Sequence, residues 1–106
     1  MSKQFGLGNI VKQAQDLQER LAKVQQEAAS KTVEAAAGGG MVTATVNGKL
    51  EVVHLRIDPQ VLQSGDVEMI QDLILAAVNQ GIRNAQRLVA EEMSKVTGGL
   101  KIPGVT

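Results

Sequence analysis

The chain has no cysteine, no tryptophan, no tyrosine, one phenylalanine (Phe5) and two prolines among its 106 residues. Without cysteine there can be no disulfide framework, no thiol nucleophile and no cysteine metal site. Without aromatic rings, any core must be built from Val, Leu, Ile, Met and Ala. Such a core buries little area per side chain and is thin for a monomer of this size, a deficit that oligomerisation offsets. An excess charge of one sign is also missing, because 11 basic residues balance 11 acidic ones. No apolar run approaches the roughly 18 residues of a membrane span, and the N-terminus has no signal-peptide pattern. These absences point to a single cytoplasmic domain that dimerises.

What is present is centred on two β-rich runs, Met41–Val46 and Lys49–Ile57, flanking Asn47-Gly48. Asn-Gly between such runs predicts a hairpin with a two-residue type I′ turn, since both central residues must take positive φ. That register pairs Val46 with Lys49, Ala44 with Glu51 and Val42 with Val53. It puts Val42, Val53, Leu55 and Ile57 on one apolar face, and Thr43, Thr45, Leu50, Val52 and His54 on the other. A short strand over about Thr32–Ala36 precedes the hairpin, joined to it by Gly38–Gly40 acting as a turn. No Gly-x-x-x-x-Gly-Lys-Ser/Thr follows, so these glycines are not a phosphate cradle.

Two helical segments bracket these strands. In the first, Ile10, Ala14, Leu17, Leu21, Val24 and Ala28 repeat at gaps of 4, 3, 4, 3, 4, a narrow seam suited to helix–helix packing. Asn9 or Gly8 is its expected N-cap, after a flexible lead-in over residues 1–8. Asp16–Arg20 and Glu19–Lys23 stand at ion-pair spacing. Asp58-Pro59 starts a single helical turn over about Gln60–Leu62. Asp66 then caps a last helix of about 30 residues, which Thr97-Gly98-Gly99 stops. At ~1.5 Å per residue that helix is ~45 Å long, against a radius of gyration of ~13 Å for a compact chain of this size, so part of it must project. The domain thus spans residues 9–97, with an irregular, mobile tail over 98–106.

Little here offers chemistry. His54 stands alone on a strand, and Asp58, Asp66, Glu68 and Asp72 lack the glycine and terminal glutamate of a calcium loop. Glu91 and Glu92 point about 100° apart around a helix and cannot work as a carboxylate pair. No metal, cofactor, small-molecule substrate or enzymatic activity is expected. Charge is uneven along the chain: residues 1–31 carry a net +2, residues 32–66 a net −2 and residues 67–106 none. Arg83 and Arg87 share one helical face, and Lys12, Arg20, Lys23 and Lys95 also lie on helices. Long basic side chains on projecting helices suit phosphate contacts. An ordinary solvated helix face is the competing reading.

The stretches Gly6-Leu-Gly-Asn-Ile-Val-Lys-Gln-Ala-Gln, Val46-Asn-Gly, Ile57-Asp-Pro, Asp72-Leu-Ile-Leu-Ala-Ala-Val-Asn and Gly98-Gly-Leu-Lys-Ile-Pro-Gly occur in this order across nearly the whole chain. In order and spacing they resemble the YbaB/EbfC family of small bacterial nucleoid-associated proteins. The resemblance implies an α+β protomer of order α-β-β-β-α, with a small antiparallel sheet and two long projecting helices. It also implies dimerisation through the sheets, for which Val42, Val53, Leu55 and Ile57 are the candidate residues. The implied partner is duplex DNA in the nucleoid, bound by Lys12, Arg20, Lys23, Arg83, Arg87 and Lys95. The alternative is an adaptor whose apolar helix seam recruits a protein helix.

Overall fold

The computed structural model describes residues 2–96, with side chains from residue 7 onward. Six elements follow in order: α1 (Ser2–Ser30), β1 (Thr32–Ala37), β2 (Val42–Asn47), β3 (Val52–Ile57), α2 (Pro59–Gln63) and α3 (Val67–Val96). The strands form one antiparallel sheet in the order β1-β2-β3. The expected helix stop at Thr97-Gly98-Gly99 and the tail beyond it lie outside the described residues.

Long helix α3 begins where its sequence says it should. The Asp66 carboxylate accepts a hydrogen bond from the Met69 N–H at 3.1 Å, supplying one partner that the first turn of a helix lacks. Asp58 does the same for α2 through the Gln60 N–H at 2.8 Å, with Pro59 at the first helical position. Helix α1 departs from expectation. It runs unbroken from Ser2 through Gly6 and Gly8, so Asn9 sits inside the helix and caps nothing. A helical glycine costs ~1 kcal/mol relative to alanine but forbids nothing, and Gly8 faces open space where no neighbour competes for the chain.

Helix α3 lies across β1 and β2 on one side of the sheet. The contact is made by small residues: Ala77, Gly81 and Ala85 are buried on the helix, and Ala35, Val42, Ala44 and Val46 beneath it. Gly81 is the point of closest approach. A Cβ there would sit 2.7 Å from Cγ2 of Val46, tighter than side chains tolerate. Beyond the sheet, α3 runs antiparallel to the second half of α1, where Leu17, Leu21 and Val24 are partly covered and Ala28 is buried. Residues 7–16 of α1 are exposed throughout. The result is an elongated body, 77 × 26 × 16 Å, with a radius of gyration of 20.8 Å.

The hairpin is where sequence and structure part most clearly. β2 and β3 pair Val42 with Ile57, Ala44 with Leu55 and Thr45 with His54, then skip Val53 so that Val46 meets Val52. The connection is longer than two residues, and Gly48 does not take positive φ; Leu50 does, at 65°. The reason is the Asn47 side chain. Its Oδ1 accepts from the N–H groups of Lys49 (2.9 Å) and Glu51 (3.1 Å), while Leu50 N–H donates to the Asn47 carbonyl at 2.9 Å. These bonds satisfy the backbone of a wider loop. Leu55 and Ile57 therefore stay on the helix-facing side, and the bulge at Val53 brings Val52 there from the side on which the two-residue turn would put it.

Candidate nucleic-acid interface

The three glycines at the β1–β2 turn all take positive φ, 63°, 68° and 97°, as a turn requires and as a sequence of side chains could not easily do. A Cβ at Gly38 would also lie 2.8 Å from Cδ2 of Leu73 on α3. The open side of the sheet carries Glu34, Ala36, Thr43, His54 and Arg56 around a shallow depression, with Arg56 reaching Thr43 Oγ1 at 3.5 Å. His54 is the chain's one histidine; its cross-strand partner is Thr45, and Thr43 lines the same depression. Among the described residues, no three His, Cys, Asp or Glu side chains converge as a metal site would need. No described helix is long and apolar enough to cross a membrane.

The basic residues fall into three groups. Lys12 stands on the exposed outer half of α1. Arg20 and Lys23 border the groove between α1 and α3, which they line together with Val24, Glu27, Lys95 and Val96. Arg83 and Arg87 occupy the opposite face of α3 from Ala77, Gly81 and Ala85, and both are exposed. The structure thus joins Arg20, Lys23 and Lys95, and keeps Lys12 and the Arg83–Arg87 pair apart from them. The i,i+4 pairs anticipated within α1 do not form: among the described residues the ion pairs are Lys31–Glu92 at 2.8 Å and Lys95–Glu92 at 3.4 Å. Arg20 and Lys23 therefore keep their charge unpaired, whereas Lys95 shares a carboxylate. Arg83 donates to the Gln80 side-chain oxygen at 3.0 Å, a neutral partner that leaves its charge intact.

Lys31, just past the end of α1, lies outside the candidate set and pairs with Glu92. Its ammonium and that of Lys95 hold the Glu92 carboxyl below the usual carboxylate range, chiefly through the Lys31 hydrogen bond. No spacing rule could have found this contact, since the partners are 61 residues apart.

Charge is also segregated in space. The 26 residues from Ile57 to Ile82 contain no Lys, Arg or His and four acids, Asp58, Asp66, Glu68 and Asp72. They form α2 and the first half of α3, at the far end of the body from the free half of α1. The zero net charge is the sum of this acidic pole, at −4, and two basic stretches, residues 1–31 and 83–106, at +2 each.

The candidate dimer residues are placed as follows. Val42 is wholly enclosed by its own protomer, in a cluster with Ala44 and Ala77, and Ile57 packs against that cluster. Val53 and Leu55 are 52% and 39% exposed, because α3 covers β1 and β2 and leaves β3 largely bare. Asn84 on one flank of α3 reaches the Glu34 carbonyl of β1 at 3.3 Å. By helical geometry the opposite flank, with Leu75, Val78 and Ile82, faces the β3 side. Val52, Leu55 and Leu75 are apolar and exposed, at 42%, 39% and 59%.

The chain matches the YbaB/EbfC DNA-binding family over residues 3–100. A nucleoid-associated protein of Thermoanaerobacter pseudethanolicus is 54% identical over 101 residues, covering 95% of this chain and 91% of the relative. Another, from Caldanaerobacter subterraneus subsp. tengcongensis, is 52% identical with the same coverage, and one from Moorella thermoacetica is 48% identical, covering 94% of this chain and 99% of its own. Among solved structures, an uncharacterized protein of Helicobacter pylori shares the fold at a TM-score of 0.67 with 22% identity, covering 89% of this chain and 95% of that one. With strand order, helix lengths and sequence in agreement over nearly its whole length, the chain belongs to the YbaB/EbfC family of DNA-binding proteins, which are not enzymes.

Proposed function

We propose that the protein is a homodimeric, nucleoid-associated factor that binds the backbone of duplex DNA through basic side chains on its helices. Family membership supports DNA as the partner. The observation that carries the residue-level reading is the exposed basic set without an ion pair among the described residues, Lys12, Arg20 and Lys23 on α1 with Arg83 and Arg87 on α3, set against an acidic pole that DNA repels. Phosphate contacts give affinity and little sequence preference, which suits a protein that organises the nucleoid and modulates gene expression. Lys95, shared with Glu92, contributes less. The exposed apolar residues Val52, Val53 and Leu55 of β3, with Leu75 on α3, support self-association, since contiguous exposed apolar surface is normally covered.

A gel shift on random duplex DNA from 50 to 200 mM salt tests the reading. If two or three basic residues per protomer reach phosphates, a dimer neutralises about four to six, and log K falls against log salt with a slope of roughly −4 to −5. Arg83→Glu with Arg87→Glu should weaken binding to all duplexes alike while leaving the dimer intact. Equal affinity of parent and variant across that range would remove α3 from the DNA surface. Val53→Asp with Leu55→Asp should give folded monomers in sedimentation; an intact dimer would put the self-contact elsewhere.

The exposed Leu7, Ile10 and Val11 on α1 favour a second reading, an adaptor that pairs with a protein helix. Apolar pairing of that kind would persist as salt rises, where phosphate binding fails.

A further inference from the structure

We infer that Gly48 is a positioning residue, the pivot that sets the direction in which the α1 arm leaves the sheet. The inference about arm geometry stands on its own; its consequence for affinity rests on the DNA-binding reading above. Asn-Gly in a hairpin reads as a demand for positive φ, but Gly48 does not have one. Its lack of a side chain serves a contact with α1. A Cβ at Gly48 would lie 2.0 Å from the carbonyl oxygen of Ala28, 2.5 Å from its carbonyl carbon and 2.9 Å from Cα of Ala29. All three are backbone atoms, so no side-chain rearrangement can relieve the clash. The Gly48 N–H also donates to the Lys31 carbonyl at 3.1 Å, giving a partner to one of the carbonyls that the end of α1 leaves open.

The hairpin turn is the stiffer side of this contact. Asn47 and its neighbours tie it with four hydrogen bonds, from Lys49 N–H and Glu51 N–H to Asn47 Oδ1, from Leu50 N–H to the Asn47 carbonyl and from Asn47 N–H to the Glu51 carbonyl. The α1 terminus is held by its seam against α3 and by the Lys31–Glu92 pair. Any atom added at Gly48 must therefore move the helix, and the helix is a lever. Lys12 is 16 residues from Ala28, about 24 Å along the axis. Bringing the new Cβ to an ordinary contact needs a shift of about 1.4 Å at the pivot, and over one helical turn of purchase this swings Lys12 by about 6 Å. Lys12, and to a smaller extent Arg20 and Lys23, would then change position relative to Arg83 and Arg87 on α3.

Because the chain contains no cysteine, paired spin labels can be placed freely. Labels at Gln13→Cys on the arm and Gln71→Cys on α3, diluted with unlabelled protein, report the arm direction in the full-length chain without DNA. Gly48→Ala should shift the mean distance by about 3–5 Å, and Leu50→Gly, in the same turn but away from the contact, should not. With random duplex DNA, Gly48→Ala should bind several-fold more weakly at fixed salt while Leu50→Gly binds like the parent. An unchanged distance in Gly48→Ala overturns the pivot, whatever happens to affinity. A shifted distance with DNA binding absent in the parent too would leave the pivot standing and end the DNA reading instead. Should Gly48→Ala fail to fold, Asn47→Ala removes three of the turn's bonds, the two accepted by Oδ1 and the one Nδ2 donates to Glu51 Oε1, and adds nothing at the contact. Its distance distribution should broaden, and a distribution as narrow as the parent's overturns the inference.

Discussion

The two long helices treat their apolar residues differently. On α3 the buried positions are Ala77, Gly81 and Ala85, among the smallest side chains available, while on the outer half of α1 the larger Leu7, Ile10 and Val11 stand 72%, 65% and 52% exposed. Hydrophobicity alone would rank them the other way. The difference is distance: small residues let α3 approach the sheet until its backbone lies nearly on Val46, whereas α1 beyond Leu17 has no described surface to approach. Burial here follows from what the fold brings close, and the apolar character of a stripe does not by itself decide it.

That contrast can be broken in order of effect. Val42→Asp places an unpaired charge beneath Ala77 and should cost more than about 3 kcal/mol or abolish folding, as read by urea denaturation. A well-folded Val42→Asp protein would show that α3 does not seal the sheet. Leu50→Gly removes the positive-φ leucine from the hairpin and should stabilise by up to about 1 kcal/mol in the same assay. Acidification should loosen the junction between the helices. The Glu92 pKa is lowered in the folded state, so its contribution is complete above the usual carboxylate pKa and fades as pH falls through the lower, folded value. Cleavage near Ser30, followed by limited proteolysis, should therefore accelerate at low pH, and Glu92→Gln should remove that dependence. Smallest of all, Ile10→Asp should change stability by no more than about 0.5 kcal/mol. A large loss there would mean that the arm has a partner surface after all.

How much of this could be read beforehand varied with the range of the interaction. Helix α3 was legible because both its signals are local: Asp66 at the cap and an apolar stripe at helical spacing. Strand β1 and the glycine turn were legible for the same reason. The hairpin register was not, because it is set by the Asn47 side chain folding back on its own loop and by the end of α1 packing against Gly48, the second a tertiary contact. The start of α1 was misplaced because two glycines lower helix propensity without ending a helix. At the candidate interface the residue types were legible and their grouping was not. Arg20 and Lys23 looked neutralised by Asp16 and Glu19, four residues away, and are free; Lys95 looked free and shares Glu92 with a lysine from the other end of the chain.

The small residues between α3 and the sheet have one more consequence. Alanine and glycine have no side-chain rotamers to freeze, so closing this contact costs backbone order and almost no side-chain entropy. The same property leaves the contact with nothing to repack. Where a leucine-filled interface can absorb a displacement by switching rotamers, Ala35, Ala44, Ala77, Gly81 and Ala85 can only stay in register or separate. At these positions a displacement of helix α3 passes to the strands beneath, and any rotamer adjustment falls to the surrounding Val46, Leu73, Ile74 and Val78.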